Sequence, residues 1–124
     1  MQECDTVIHL AHNADPGSSI TDSNDAINIS NFINLLELIK SKNIRVILFS
    51  SGGVVYGNPE KIPVSEQAVL KPISPYCVTK VAMENYLYMY HHIYGIPYLI
   101  LRPSNAYGER EDFFPKTGCY PNFS

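Results

Sequence analysis

The apolar positions of the chain fall into five clusters of two alternating kinds. Three are short and nearly continuous: Val7-Ile8-His9-Leu10-Ala11, Arg45-Val46-Ile47-Leu48-Phe49-Ser50 and Tyr98-Leu99-Ile100-Leu101. Each is too short for a stable helix and is dominated by β-branched or large apolar residues, the pattern of a buried strand. Between the first two, Ile29, Phe32, Ile33, Leu36 and Ile39 recur at three- and four-residue steps, a helical period. Asp22 or Ser23 is placed to cap that helix, and Lys40-Ser41-Lys42-Asn43 closes it with cations where the helix dipole favours them. A helix is therefore predicted over 22–42. The segment from Tyr76 to Tyr94 contains neither proline nor glycine. Ser74-Pro75 precedes it as a cap followed by a first-turn proline, and Gly95 stops it, so a second helix is predicted over 76–94.

Strand, helix, strand, helix, strand at these spacings is two βαβ units. Short apolar strands joined by long crossovers imply a parallel sheet covered by helices, with right-handed connections. The fold class is α/β, of the doubly wound type. The connections carry the polar and proline-bearing stretches, His12 to Asn24 and the segment holding Pro59, Pro63 and Pro72, and no internal repeat is present.

The remaining composition narrows the class. A chain of 124 residues is one domain at most. Nine Lys and Arg against twelve Asp and Glu, net −3, argue against a nucleic-acid or anionic-membrane partner, either of which requires a clustered positive surface. No apolar run reaches the roughly 18 residues of a membrane span, and no secretory leader is seen. Three cysteines, Cys4, Cys77 and Cys119, at no metal-ligand spacing suit a reducing, cytoplasmic setting.

The candidate chemistry lies in Tyr76 and Lys80, four residues apart on one face of the second helix. A lysine cation beside a phenol favours the phenolate, which fits the tyrosine to act as general base on an alcohol near neutral pH. Alone, the spacing is equally that of a surface tyrosine packed on a lysine stem. It gains weight because the second strand runs into Ser50-Ser51-Gly52-Gly53-Val54-Val55-Tyr56-Gly57 and the third into Arg102-Pro103-Ser104-Asn105-Ala106-Tyr107-Gly108. Both segments lie at carboxyl ends of strands, where open α/β sheets bind ligands. His9 and His12 have metal-like spacing, but no carboxylate or cysteine is evidently placed to complete a site, and no metal is predicted.

Taken in order, Asp5-Thr6-Val7-Ile8-His9-Leu10-Ala11, Asn28 with Asn34-Leu35-Leu36-Glu37, Phe49 to Gly57, Ser74-Pro75-Tyr76-Cys77-Val78-Thr79-Lys80 and Leu101 to Gly108 resemble the extended short-chain dehydrogenase/reductases. Within them the likeness is to the NAD-dependent nucleotide-sugar epimerases and dehydratases. The resemblance runs over essentially the whole chain and implies that 1–124 is part of a Rossmann-type domain, its fourth to sixth strands, without the phosphate-binding half or the substrate domain. It implies Tyr76 as acid and base on the sugar hydroxyl, with Lys80 holding the nicotinamide ribose and depressing the Tyr76 pKa. Leu10, Ala11, Asn28, Ser50 and Pro103 would line NAD with Tyr76 and Lys80, and Asn105 would face the nucleotide sugar. The family's usual catalytic Ser or Thr falls on Gly52, which leaves Ser51 as the nearest substitute. Dehydratases carry an Asp-Glu pair where this chain has Gly53-Val54, which favours an epimerase over a dehydratase or reductase. A homodimer through helices 22–42 and 76–94 is also implied, and a non-catalytic, dimerising remnant is the alternative. The seven glycines form no G-x-G-x-x-G turn, so tight NAD binding by these residues alone is not expected.

Overall fold

A computed structural model describes residues 4–12 and 25–104. Three parallel strands, β1 (Thr6–His9), β2 (Arg45–Phe49) and β3 (Tyr98–Leu101), alternate with two helices, α1 (Asp25–Ile39) and α2 (Pro75–Tyr94). The sheet order is β1-β2-β3, with Val7, Val46 and Tyr98 in one row and His9, Leu48 and Ile100 in another.

Every second strand residue faces the helices. Val46 and Leu48 are fully buried against Phe32, Leu36 and Ile39 of α1 and Met83, Leu87 and Tyr90 of α2, with Ile96 closing the cluster. Tyr98 and Ile100 pack on its rim. The alternate residues Ile8, Leu99 and Leu101 stay exposed. Two crossovers of the same hand that step the same way across a sheet put both helices on one side, so the described residues cover one face. That single layer is half of a doubly wound arrangement, and the strands' near-continuous apolar character matches a sheet meant for cover on both faces.

The element ends differ in detail from the sequence pattern. β1 stops at His9, leaving Leu10 and Ala11 beyond the ladder, and β2 stops at Phe49. α1 ends at Ile39 and does not reach residue 42: Lys42 N–H bonds the Ile39 carbonyl at 2.8 Å in a turn, and Lys40 pairs with Glu37. The expected caps Asp22 and Ser23 lie outside the described residues. α2 takes Pro75 as its first residue, the first-turn place expected for it, and Ser74 in extended conformation caps it by accepting the Cys77 N–H at 3.3 Å. At its other end Gly95 is left-handed, φ 74°, and donates to the His91 carbonyl, as a helix-stopping glycine does.

Candidate active site

The carboxyl ends of the three strands and the first turns of α2 meet at one edge of the sheet. Lys80 is the hinge of this meeting. It is 3% exposed, and its ammonium donates to the Phe49 carbonyl, the last of β2, at 2.9 Å. A lysine buried to this extent needs such a partner, and burial holds its pKa below the usual lysine range. One turn earlier Tyr76 is half-buried, with Lys80 Nζ 5.7 Å from the centre of its ring. The expected i, i+4 juxtaposition therefore exists.

Its electrostatic consequence is the reverse of the expectation. The Tyr76 phenol is pushed above its ordinary value, first by burial and then by the neighbouring Cys77 and the Asp25 carboxylate. Desolvation of the phenol outweighs the attraction of Lys80, whose ammonium is hydrogen-bonded to the Phe49 carbonyl.

The remaining predicted residues fall around this pair. Leu10 and Ala11 are exposed just past β1, and Leu10 is 64% exposed, an apolar surface with open backbone. Asn28 is buried on the first turn of α1. Ser50 is buried after β2, its Oγ without a hydrogen-bond partner among the described residues, while Ser51 is half-buried. Pro103 is exposed beyond β3. Asn105 lies outside the described residues.

Gly52 shows why a hydroxyl residue does not fit at that place. Its N–H donates to the Pro103 carbonyl at 2.7 Å, and a Cβ built on it would collide with the Arg102 carbonyl oxygen. Gly53, by contrast, faces open space. The β2 turn is packed backbone to backbone on the end of β3, a closeness only glycine permits.

Two features escaped the sequence. The first is a network joining α2, β3 and the turn after β2. Arg102 binds Glu84 in a two-pronged pair, Nε to Oε1 at 3.0 Å and Nη2 to Oε2 at 2.5 Å, and Nη1 donates to the Tyr56 hydroxyl at 2.8 Å. The signal was present: Glu84 continues the i, i+4 row of Tyr76 and Lys80. The second is a carboxylate partner for His12. Asp25 Oδ1 lies 3.3 Å from His12 Nε2, and the imidazole meets the Tyr76 ring edge-on with centroids 4.7 Å apart. Asp25 and His12 are separated by a long polar stretch of sequence, so no local spacing could reveal the pair.

A cleft of about 820 Å³ opens beside this edge, lined among others by Phe49, Gly52, Tyr56, Arg102 and Pro103. Neither Tyr76 nor Lys80 lines it, because Phe49 and Leu101 point to the uncovered face of the sheet while the Tyr–Lys pair belongs to the helix side.

Residues 1–123 match the model of the NAD dependent epimerase/dehydratase family. The chain belongs to that family. It is 41% identical over 114 residues to a putative UDP-glucose 4-epimerase of Methanocaldococcus jannaschii, an alignment covering 90% of this chain and 37% of the relative. Among solved structures it is similar to the UDP-glucose 4-epimerase of Thermotoga maritima with UDP-glucose, with TM-score 0.83, 34% identity and coverage of 92% of this chain and 38% of that one. The UDP-glucose 4-epimerase of Thermus thermophilus complexed with NAD gives a TM-score of 0.81 at 34% identity, covering 88% and 36%. The chain thus spans little more than a third of the length of these relatives. No helix among the described residues is long and apolar enough to cross a membrane.

Proposed function

We propose that the chain carries the proton-transferring part of an NAD-dependent nucleotide-sugar epimerase. The observation that supports this most directly is the Tyr76–Lys80 pair, half-buried and buried respectively, against the carboxyl end of a parallel β2 strand.

The residues fit the nicotinamide end of NAD. Ser50 Oγ and His9 Nδ1 are buried polar atoms without protein partners among the described residues, and groups of that kind cost about 1–3 kcal/mol each unless something satisfies them. Leu10 and Ala11 offer an open apolar edge beside them. Tyr76, Lys80, Asn28, Ser50, Leu10, Ala11 and Pro103 would hold the cofactor, and NAD supplies a hydride acceptor when bound. The pyrophosphate end has no counterpart here, since the glycines of this sequence form no G-x-G-x-x-G turn.

In this reading Tyr76 takes the proton of a sugar hydroxyl as its carbon becomes a ketone, and returns that proton when the carbon is reduced on the opposite face. Lys80 holds its charge within reach of the phenol while tied to the Phe49 carbonyl, so the site stays cationic without a mobile side chain. Ser51 is the hydroxyl nearest in sequence to the position that Gly52 leaves bare. A sugar nucleotide is the substrate class, with Asn105 on the nucleotide side.

The test is a chimera in which this chain replaces the matching segment of the T. maritima UDP-glucose 4-epimerase. The chimera is expected to interconvert the two 4-epimers of a UDP-sugar. Tyr76→Phe is expected to lower kcat by about 10²–10⁴-fold, the usual contribution of a general acid–base group, with Tm unchanged. Retained turnover in Tyr76→Phe would remove that residue from the role.

The outer side of the helix pair supports assembly as a homodimer. Leu38 of α1 and Val78, Tyr88 and Ile93 of α2 are each more than half exposed, large apolar side chains that a partner's helices would cover. Light scattering across micromolar concentrations is expected to report twice the chain mass; a monomer throughout would count against a dimer.

A further inference from the structure

We infer that His12, in contact with Asp25, is a positioning residue for Tyr76, and that the charge on this His–Asp pair sets the field in which the Tyr76 hydroxyl exchanges its proton. Its functional weight rests on Tyr76 being the proton-transferring group; its physical content does not.

The geometry is specific. The His12 and Tyr76 rings stand at 80° with centroids 4.7 Å apart, an edge-to-face contact that fixes the orientation of one ring against the other. His12 Nε2 and Asp25 Oδ1 approach to 3.3 Å, and both side chains are only 8% exposed. Neither ring nitrogen of His12 nor either Asp25 oxygen makes an aligned hydrogen bond among the described residues. Buried polar atoms in that condition call for a physical account, and a proton taken up between the two side chains supplies one. No third metal-ligating side chain joins them among the described residues.

Among the described residues, four ionisable groups face the imidazole: His9 from β1, Asp25 from α1, and Tyr76 and Lys80 from α2. With His12 neutral, the Asp25 carboxylate is uncompensated and opposes a negative charge on Tyr76. With His12 protonated the pair is neutral, and Lys80 remains as the unbalanced cation beside the phenol. Protonating His12 therefore eases proton loss from Tyr76, and by linkage a phenolate at Tyr76 strengthens proton binding at His12. Burial and Lys80 hold His12 below the ordinary histidine range, while Asp25 pulls it back up. The switch thus lies on the acid side of neutrality.

The test is an NMR titration of the 124-residue chain carrying isotope-labelled tyrosine Cζ and histidine ring nitrogens. Tyr76 is assigned by Tyr76→Phe, and pH runs from about 4.5 to about 9, spanning the unperturbed histidine value near 6.5. His12 is expected to titrate below that value, and the Tyr76 Cζ resonance to inflect at the same pH. His12→Phe preserves the ring contact and is expected to abolish the inflection. Asp25→Asn removes the charge that favours His12 protonation and is expected to move the inflection down by about one pH unit or more. Should His12→Phe fail to fold, the Asp25→Asn arm decides alone. A Tyr76 resonance that stays flat while His12 titrates, or a His12 titration unmoved by Asp25→Asn, would overturn the coupling. In the chimera, His12→Phe is expected to displace the acid limb of the pH–kcat profile. An inactive parent chimera would count against the proposed function and leave the titration result standing.

Discussion

Glu84→Ala is the substitution that most directly tests how this edge is held together. Glu84 is 5% exposed in its side chain and receives two prongs of Arg102, whose own side chain is 23% exposed. Breaking a fully buried pair costs about 3–5 kcal/mol and an exposed one about 0–1, so a pair with one dry and one partly wet partner falls near 2–3 kcal/mol. Arg102 keeps the Tyr56 hydroxyl and the Glu66 carbonyl, which limits the loss. Glu84→Gln retains one acceptor but turns an amide N–H toward the guanidinium, and about 1–2 kcal/mol is expected. With a urea m-value of about 1–3 kcal/mol/M, the midpoint should fall by about 0.7–3 M for the alanine variant. A double-mutant cycle with Arg102→Ala should return a coupling above about 1 kcal/mol, little changed by salt because the carboxylate is buried. Hydrogen exchange at the Gly52 amide, bonded to the Pro103 carbonyl, should accelerate as the β3 end loosens. Additivity of the two single variants within about 0.5 kcal/mol would refute the view that this pair clamps α2 to the strand ends.

Adjacent glycines give a sharp contrast. Gly52→Ser, which would restore the hydroxyl position typical of the resembled enzymes, is expected to destabilise by about 1–3 kcal/mol, while Gly53→Ser, facing open space, should stay within about 0.5; equal thermal shifts for the two would refute the packing at Gly52. At high pH, Tyr90 offers a defined limb. Its hydroxyl donates to Glu37 Oε1 at 2.6 Å, and its pKa is pushed up to about 12, chiefly by that bond. The folded chain then holds this proton more tightly than the unfolded one, whose tyrosines titrate near 10, so the stabilisation is whole below about pH 10 and fades as pH rises through about 12. Tyr90→Phe should flatten that limb in equilibrium unfolding; an unchanged pH dependence would sink the assignment.

The strands, their parallel order and both helices were legible because each is encoded locally. Val46 and Leu48 alternate with Arg45 and Ile47 in a run too short for a helix, and Phe32, Leu36 and Ile39 keep one helical face. Ser74-Pro75 and Gly95 mark the ends of α2 through backbone requirements that the residue types satisfy on their own. The Tyr76–Lys80 pair was legible for the same reason: four residues on a helix is a fixed geometry.

Packing settled everything that depends on groups far apart in the chain. Where β2 ends under α2 decides that Lys80 meets the Phe49 carbonyl, and burial, with Cys77 and Asp25, raises the Tyr76 phenol where spacing alone predicted a fall. Asp25 meets His12 only because α1 starts beside the end of β1, and Arg102 meets Glu84 only because β3 lies under α2. Gly52 read as a missing hydroxyl in the sequence; in the fold it is the place where two backbones touch. Periodicity fixes which residues share a face, a matter of helix and strand geometry. Desolvation and charge depend on what that face is pressed against, and only the folded chain determines that.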